Sequence, residues 1–332
     1  MPELRKDPVI GRWVIVATER ARRPGNIVES IDHGISGKKE ECPYCQLKEL
    51  ILFSKKLKKS KRDWDVCVLS YPKSFFKREA RPDQHVHGLY EIVNGFGLHE
   101  LVIETPEHIA NIADLSAEHL QCFLETSATR MKALSENSDI QHVLAYKNYG
   151  AVAGSEMMGH SRTHLIAMPI IPFHAKEKLS GAQAYFKKQR RCVYCDLIGQ
   201  EIKAKTRIIL ENKHFVALTP FAARFLFEVW ILPKKHSCDF MEGSQNVQKD
   251  LAMILKQLLE KIRDGLEDPA YNFVIQTAPI GMSAEKNVKD CYHWHIEILP
   301  RLTRVAGFEK GTGFYINSIP PEATAEFLRG VL

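Results

Sequence analysis

Two C-x-x-C pairs constrain this chain more than any other feature. Cys42-Pro43-Tyr44-Cys45 and Cys192-Val193-Tyr194-Cys195 each place two thiolates within reach of one tetrahedral metal ion. The same succession follows each pair, which means one folding unit used twice. After the first come an apolar strand (Val66 to Leu69), the stretch Leu101 to His108, and a helix capped near Asp114 or Ser116 running through Leu120, Phe123, Leu124 and Met131. After the second come Phe215 to Pro220, Glu228 to His236, and a helix with Ser244 as cap and Val247, Leu251, Ile254, Leu255, Leu258 and Ile262 on one face. A chain of 332 residues also exceeds what one hydrophobic core usually holds.

Each helix leads into a strand, His142 to Tyr146 in one half and Tyr271 to Ile275 in the other. Each half then closes on a histidine-bearing strand, His160 to Ile166 and His293 to Ile298. Strand side chains alternate with a period of two, so His160, Arg162 and His164 share one face, as do His293, His295 and Glu297. The order predicts an α+β protein of two halves, 1–172 and 173–332, built on antiparallel sheet with helices packed against it. The seam is expected at Ile170 to Arg190, where no strong apolar period is visible.

A closed structural zinc site needs four ligands. In both halves a histidine just past a strand-ending proline and another opening the last strand recur in matching order. The spacing therefore predicts one or two Zn²⁺ ions per chain, the candidate sites being Cys42, Cys45, His108 and His160, and Cys192, Cys195, His236 and His293. The competing reading is two redox-active or accidental dithiols beside histidines that only make hydrogen bonds. Cys67, Cys122, Cys238 and Cys291 stand alone and read as small core residues.

Composition removes several other classes. The longest apolar stretch, around Phe225 to Leu232, is interrupted by Glu228 and falls short of the ~20 residues that span a bilayer. The first residues, Met1 to Asp7, have no apolar run of the secretory kind, and eight cysteines without such a signal suit a reducing cytoplasm. The net charge of +6 is compatible with phosphorylated substrates and does not demand nucleic acid. The dense basic run from Lys55 to Arg62 holds no aromatic residue for base stacking and reads as a solvated loop.

Six ordered segments resemble the galactose-1-phosphate uridylyltransferase family of the histidine-triad superfamily. They are E-L-R-K-D-P-V-I-G-R-W-V-I-V-A-T-E-R-A-R-R-P (Glu3 to Pro24), E-C-P-Y-C, G-L-H-E-L-V-I-E-T-P-E-H, Y-K-N-Y-G, Y-H-W-H-I-E-I-L-P-R-L and G-F-E-K-G-T-G-F-Y-I-N. The resemblance implies a duplicated histidine-triad-like fold, a homodimer, and transfer of a nucleoside monophosphate between sugar 1-phosphates. The carrier would be a covalent nucleotidyl-histidine, which splits the reaction into two displacements. Substrate contacts would fall on Arg20, Arg23 and Asn148, the arginines suiting phosphate through their planar forks. The metal positions carried over agree with those read from spacing.

The chain departs from the family where the chemistry should lie. The family strand reads H-P-H-x-Q, with the second histidine as nucleophile and the glutamine on the transferring phosphate. Here those positions are Arg162 and His164, after the metal histidine His160. A guanidinium offers no lone pair for attack, although it can hold a phosphate. The family's V-P-N-K-[FY]-P is shortened to Val68-Leu69-Ser70-Tyr71-Pro72, and Met157 replaces a phosphate-facing serine. Two functions compete. One is a nucleotidyltransferase acting on nucleotide sugars and hexose 1-phosphates, with His164 or His295 as relocated nucleophile. The other is a non-catalytic, zinc-stabilised protein that binds a nucleotide or sugar phosphate.

Overall fold

The computed structural model describes residues 3–6, 13–16, 38–47, 50–58, 60–80, 82–155, 159–282, 287–304, 306–313 and 315–331. Arg20, Arg23 and Met157 lie outside them.

The N-terminal half supplies strands β1 (Glu3–Lys6), β2 (Trp13–Val16), β3 (Ile51–Lys55), β4 (Val66–Ser70), β5 (Gln84–His87), β6 (Tyr90–Asn94) and β7 (Leu98–Ile103). Helix α1 (Ala117–Ser135) then leads into β8 (His142–Tyr149) and β9 (Arg162–Met168). The C-terminal half opens with α2 (Phe173–Gln189) and α3 (Val193–Ala204), followed by β10 (Ile208–Glu211), β11 (Phe215–Leu218) and β12 (Val229–Pro233). Helix α4 (Gln245–Gly265), β13 (Tyr271–Gln276), α5 (Val288–Cys291), β14 (His295–Pro300), α6 (Gly307–Thr312) and α7 (Pro321–Gly330) complete it.

Ten strands form one antiparallel sheet in the order β10-β11-β12-β14-β13-β8-β9-β7-β4-β3. Read outward from the middle, the order is β13-β14-β12-β11-β10 on one side and β8-β9-β7-β4-β3 on the other. The duplication seen in sequence is thus a palindrome of strands. The halves meet where β8 pairs with β13, with Asn148 opposite Asn272 and Tyr146 opposite Val274. Strands β2, β1, β6 and β5 make a separate four-stranded sheet.

The two long helices cover one face of the large sheet. Ser116 caps α1 by accepting the His119 N–H at 3.1 Å, an arrangement that contributes about 1 kcal/mol. Leu120, Phe123, Leu124 and Met131 of α1 and Leu251, Leu255, Leu258 and Ile262 of α4 are all buried. They share one core with Val143, Ala145, Leu165, Ala167, Phe273, Ile275, Ile296 and Ile298 of the central strands. Each such side chain contributes about 1.5–3 kcal/mol through burial. Ser244 sits at the α4 N-cap position but makes no side-chain cap bond.

The opposite face is where the two halves differ. Over the C-terminal half, α2 and α3 close the sheet with a second core that includes Leu179, Ala182, Tyr194, Ile198, Val216, Leu232 and Tyr292. The expected seam at 170–190 is therefore mostly helix. Only Ala175, Leu179 and Ala182 of α2 are buried, one narrow stripe of which two members are alanines, so the apolar period is too weak to see in sequence. Over the N-terminal half lie Cys42, Tyr44 and Tyr71, packed on Cys67, Leu69, Leu101 and Ile103. The basic run contributes Lys55 to β3, where it pairs with Glu125 of α1. No described helix is long and apolar enough to cross a membrane.

Candidate functional site

Both predicted ligand sets come together. Cys42, Cys45, His108 and His160 form one cluster and Cys192, Cys195, His236 and His293 another, with all ligand atoms of a set within 4.8 Å of one another. In the first, Cys45 Sγ lies 3.3 Å from His108 Nδ1 and 3.4 Å from His160 Nδ1, and Cys42 Sγ lies 3.5 Å from His160 Nδ1. In the second, Cys195 Sγ is 3.3 Å from His236 Nδ1 and 3.6 Å from His293 Nδ1. A tetrahedral ion with Zn–S near 2.3 Å and Zn–N near 2.0 Å has S···N edges of about 3.5 Å. The clusters match the edges of that tetrahedron.

The histidine tautomers fit as well. His160 Nε2 donates to Thr105 O at 2.9 Å, His236 Nε2 to Lys289 O at 2.8 Å, and His293 Nε2 to Pro233 O at 2.9 Å. A carbonyl can only accept, so in the neutral ring the proton is on Nε2 and Nδ1 turns its lone pair toward the thiols. Burial lowers His160 to about 4, so this imidazole is neutral. In the second cluster the hydrogen bond from Cys195 lowers Cys192, while the same contact raises Cys195. None of the eight cysteines is in a disulfide.

The β strands that leave these clusters carry the remaining candidates. Arg162 opens β9 and His295 opens β14. Arg162 is buried, donates from Nη1 to His160 O at 3.3 Å, and lies over the Tyr44 ring with its Cζ 5.6 Å from the centroid. Behind it is a buried polar network. Lys147 Nζ donates to Glu104 at 2.8 Å, Ser161 Oγ at 2.7 Å and Arg162 O at 3.1 Å, and the hydroxyls of Ser161 and Thr163 also donate to Glu104. This network fixes the backbone at the start of β9.

His164 faces the same side of the sheet as Arg162 and is half-buried. Its Nδ1 is 2.9 Å from Nε2 of His99, a buried residue of β7. Its ring stacks on Tyr146 at 4.8 Å with an interplanar angle of 6°, and meets Tyr71 edge-on at 5.4 Å. The Val68 to Pro72 segment thus delivers Tyr71 against His164. Nearby, Gly97 is required by close approach, because a Cβ there would sit 2.8 Å from both Ala167 O and Phe76 Cγ.

Asn148 accepts from Asn272 Nδ2 at 2.9 Å and donates to Gly154 O at 3.3 Å. The β8–β9 register, in which Tyr146 faces His164, continued by two residues puts Asn148 opposite Arg162.

His295 is different. It is 0% exposed, enclosed by Tyr194 at 5.3 Å and Trp230 at 5.1 Å. Its Nδ1 donates to His293 O at 3.1 Å, and its Nε2 lies 3.3 Å from Lys178 Nζ of α2. Lys178 and Arg224 both pair with Glu297. Burial alone would raise Glu297, but the charges of Lys178 and Arg224 hold it well below the usual range. The α2 helix therefore seals this half over a neutralised network.

Sequence reasoning missed His99 and Lys178. A histidine inside the apolar run Leu98 to Ile103 was the visible signal for the first. The second sits in the stretch read as seam.

A palindromic antiparallel sheet, two long helices on one face and a Cys₂His₂ cluster at the head of each closing strand define a duplicated histidine-triad-like protein. Residues 178–314 match the model of the galactose-1-phosphate uridyl transferase C-terminal domain. Residues 89–171 match the N-terminal domain model of a domain of unknown function (DUF4931). The chain is 35% identical over 99% of its length to the ADP-glucose phosphorylase of Arabidopsis thaliana, covering 93% of that protein. It is 27% identical over 99% of its length to the galactose-1-phosphate uridylyltransferase of Thermotoga maritima, covering 98% of it. The crystal structure of the Arabidopsis ADP-glucose phosphorylase with bound ADP-glucose superposes with a TM-score of 0.75 at 33% identity, over 100% of both chains. The chain belongs to the galactose-1-phosphate uridylyltransferase family of nucleotidyltransferases.

Proposed function

We propose that this protein acts on nucleotide sugars and hexose 1-phosphates as a nucleotidyltransferase or phosphorylase, with His164 carrying the nucleotidyl group. The observation behind the assignment is the contrast among positions 162, 164 and 295. Arg162 offers no lone pair. His295 is sealed under α2 with both ring nitrogens engaged. His164 is an imidazole at a half-exposed position, its ring plane held by Tyr146 and its Nδ1 by His99. Arg162, with Asn148 opposite, then serves as a fixed positive charge on the phosphates, joined by Arg20 and Arg23. The relatives support the substrate class without choosing between adenosine and uridine diphosphate sugars.

The two clusters hold structural Zn²⁺ in this reading. Their donor sets are closed at four, so the ions stabilise the fold and anchor the heads of β9 and β14 rather than take part in transfer. The working unit is a cytoplasmic homodimer of two-part chains, 1–172 and 173–332.

Intact-mass analysis after incubation with ADP-glucose and with UDP-glucose tests the proposal. A mass increase of one nucleoside monophosphate, stable in base, labile in acid and mapped to His164, is the expected result. A second reading is favoured by Arg162 itself: a cation at the family's nucleophile position permits binding without transfer. No adduct with either sugar nucleotide, together with retained binding of both, would establish that reading instead.

A further inference from the structure

We infer that His99 is a positioning residue which accepts the Nδ1–H of His164 and thereby places the lone pair of His164 on Nε2. The inference rests on the reading of His164 as nucleophile and adds what sets its tautomer. When both imidazoles are neutral, ring nitrogens 2.9 Å apart share one N–H, and its direction decides the chemistry. If His99 donated, His164 would carry its proton on Nε2 and could only offer a hydrogen bond. If His164 donates, Nε2 is the nucleophilic nitrogen.

The second arrangement is the one that the nucleophile role requires of His99. Its ring is enclosed by Tyr71 at 4.5 Å and Phe75 at 5.4 Å. A neutral His99 protonated on Nδ1 presents Nε2 to His164 as an acceptor. The fold makes the contact dependable. His99 lies opposite Ile166 in the β7–β9 register and Leu101 lies opposite His164, so the two histidines are diagonal neighbours on one sheet face, within reach of long side chains. The stack on Tyr146 and the edge contact with Tyr71 hold the His164 ring plane.

In the first displacement the Nε2 pair forms a bond to the phosphorus bearing the nucleoside. The bond from that phosphorus to the bridging oxygen breaks, and hexose 1-phosphate leaves with the electron pair. His164 becomes cationic, and its Nδ1–H remains bonded to His99. In the second displacement an oxygen of inorganic phosphate or of another hexose 1-phosphate attacks phosphorus, and the pair returns to Nε2.

The test uses full-length, zinc-loaded protein with ¹⁵N-labelled histidine, the His164 signal being identified by its loss in His164→Gln. Long-range ¹H–¹⁵N spectra should show His164 protonated on Nδ1 in the wild type and on Nε2 in His99→Phe. His99→Gln, whose amide oxygen can accept, should restore the Nδ1–H form. Adduct formation should slow by roughly 100-fold or more in His99→Phe, with nucleotide-sugar affinity within about twofold of wild type, and recover substantially in His99→Gln. A wild-type His164 protonated on Nε2, or a tautomer unchanged in both variants, overturns the inference. If His99→Phe does not fold, His99→Gln against His99→Ala decides the same question. A wild type that shows the Nδ1–H form yet never forms an adduct would overturn the nucleophile role alone and leave His99 as the residue that orients His164.

Discussion

Arg162 and His295 occupy the same place in the two halves of one sheet. Each opens the strand that follows a cluster histidine, and each donates to that histidine's backbone carbonyl, at 3.3 Å and 3.1 Å respectively. The C-terminal half has an imidazole at this place, roofed by α2, and the N-terminal half has a buried guanidinium packed on Tyr44. Neither place therefore presents an exposed imidazole.

Freshly purified protein should contain two zinc ions per chain. Replacing Cys42 and Cys45 together by Ser should remove one and lower the melting temperature by roughly 10 °C or more, since loss of several kcal/mol shifts a domain of this size by about 2–4 °C per kcal/mol. Elemental analysis and calorimetry provide the check. Zinc-free protein with an unchanged melting temperature would leave the clusters without a metal role.

Arg162→Ala should weaken binding of ADP-glucose or UDP-glucose by about 1.5–3 kcal/mol, the usual range for hydrogen bonds to a charged group. Titration calorimetry measures this directly. Equal affinities in variant and wild type would mean that Arg162 serves only the packing against Tyr44.

Lys147 and Glu104 are 1% and 0% exposed and pair at 2.8 Å. Burial pulls Lys147 down while Glu104 opposes it. Lys147→Met strands a buried carboxylate and should cost about 3–5 kcal/mol in urea unfolding. Lys147→Met with Glu104→Gln should be more stable than the single variant. The reverse order of stabilities would count against this account of the network.

His142, at the start of β8, is fully buried, and desolvation lowers it to about 4. The unfolded chain binds a proton near pH 6.5 that the folded chain refuses until about pH 4. Its neutral state therefore stabilises the fold fully above pH 6.5, and that contribution is lost as the pH falls toward 4. The loss amounts to about 3 kcal/mol. Urea titrations across this range should show the decline in the wild type and a flatter profile in His142→Gln. Parallel profiles would assign the acid sensitivity to other groups.

The two Cys₂His₂ clusters were legible in sequence because a C-x-x-C fixes two members of each locally, and the duplicated order of features supplied the histidines. The strand faces were legible too, since alternation alone places Arg162 with His164 and His295 with Glu297. The helices α1 and α4 announced themselves by broad apolar faces. By contrast α2 buries two alanines and one leucine, and nothing in so narrow a stripe reveals that it covers a sheet.

What the sequence by itself determined is therefore the repeated unit, its C-x-x-C pairs with their matched histidines and the residue types on each strand face, set by short motifs and by the order in which they recur. Only the tertiary structure decided which histidine is accessible. His295 belongs to an H-x-H strand but is closed off by Lys178, 117 residues away in the chain. His164 gains its partner His99 from 65 residues away, through a strand register that no local pattern encodes. Accessibility and tautomer depend on which surfaces meet when the sheet is covered, and packing between distant segments settles that.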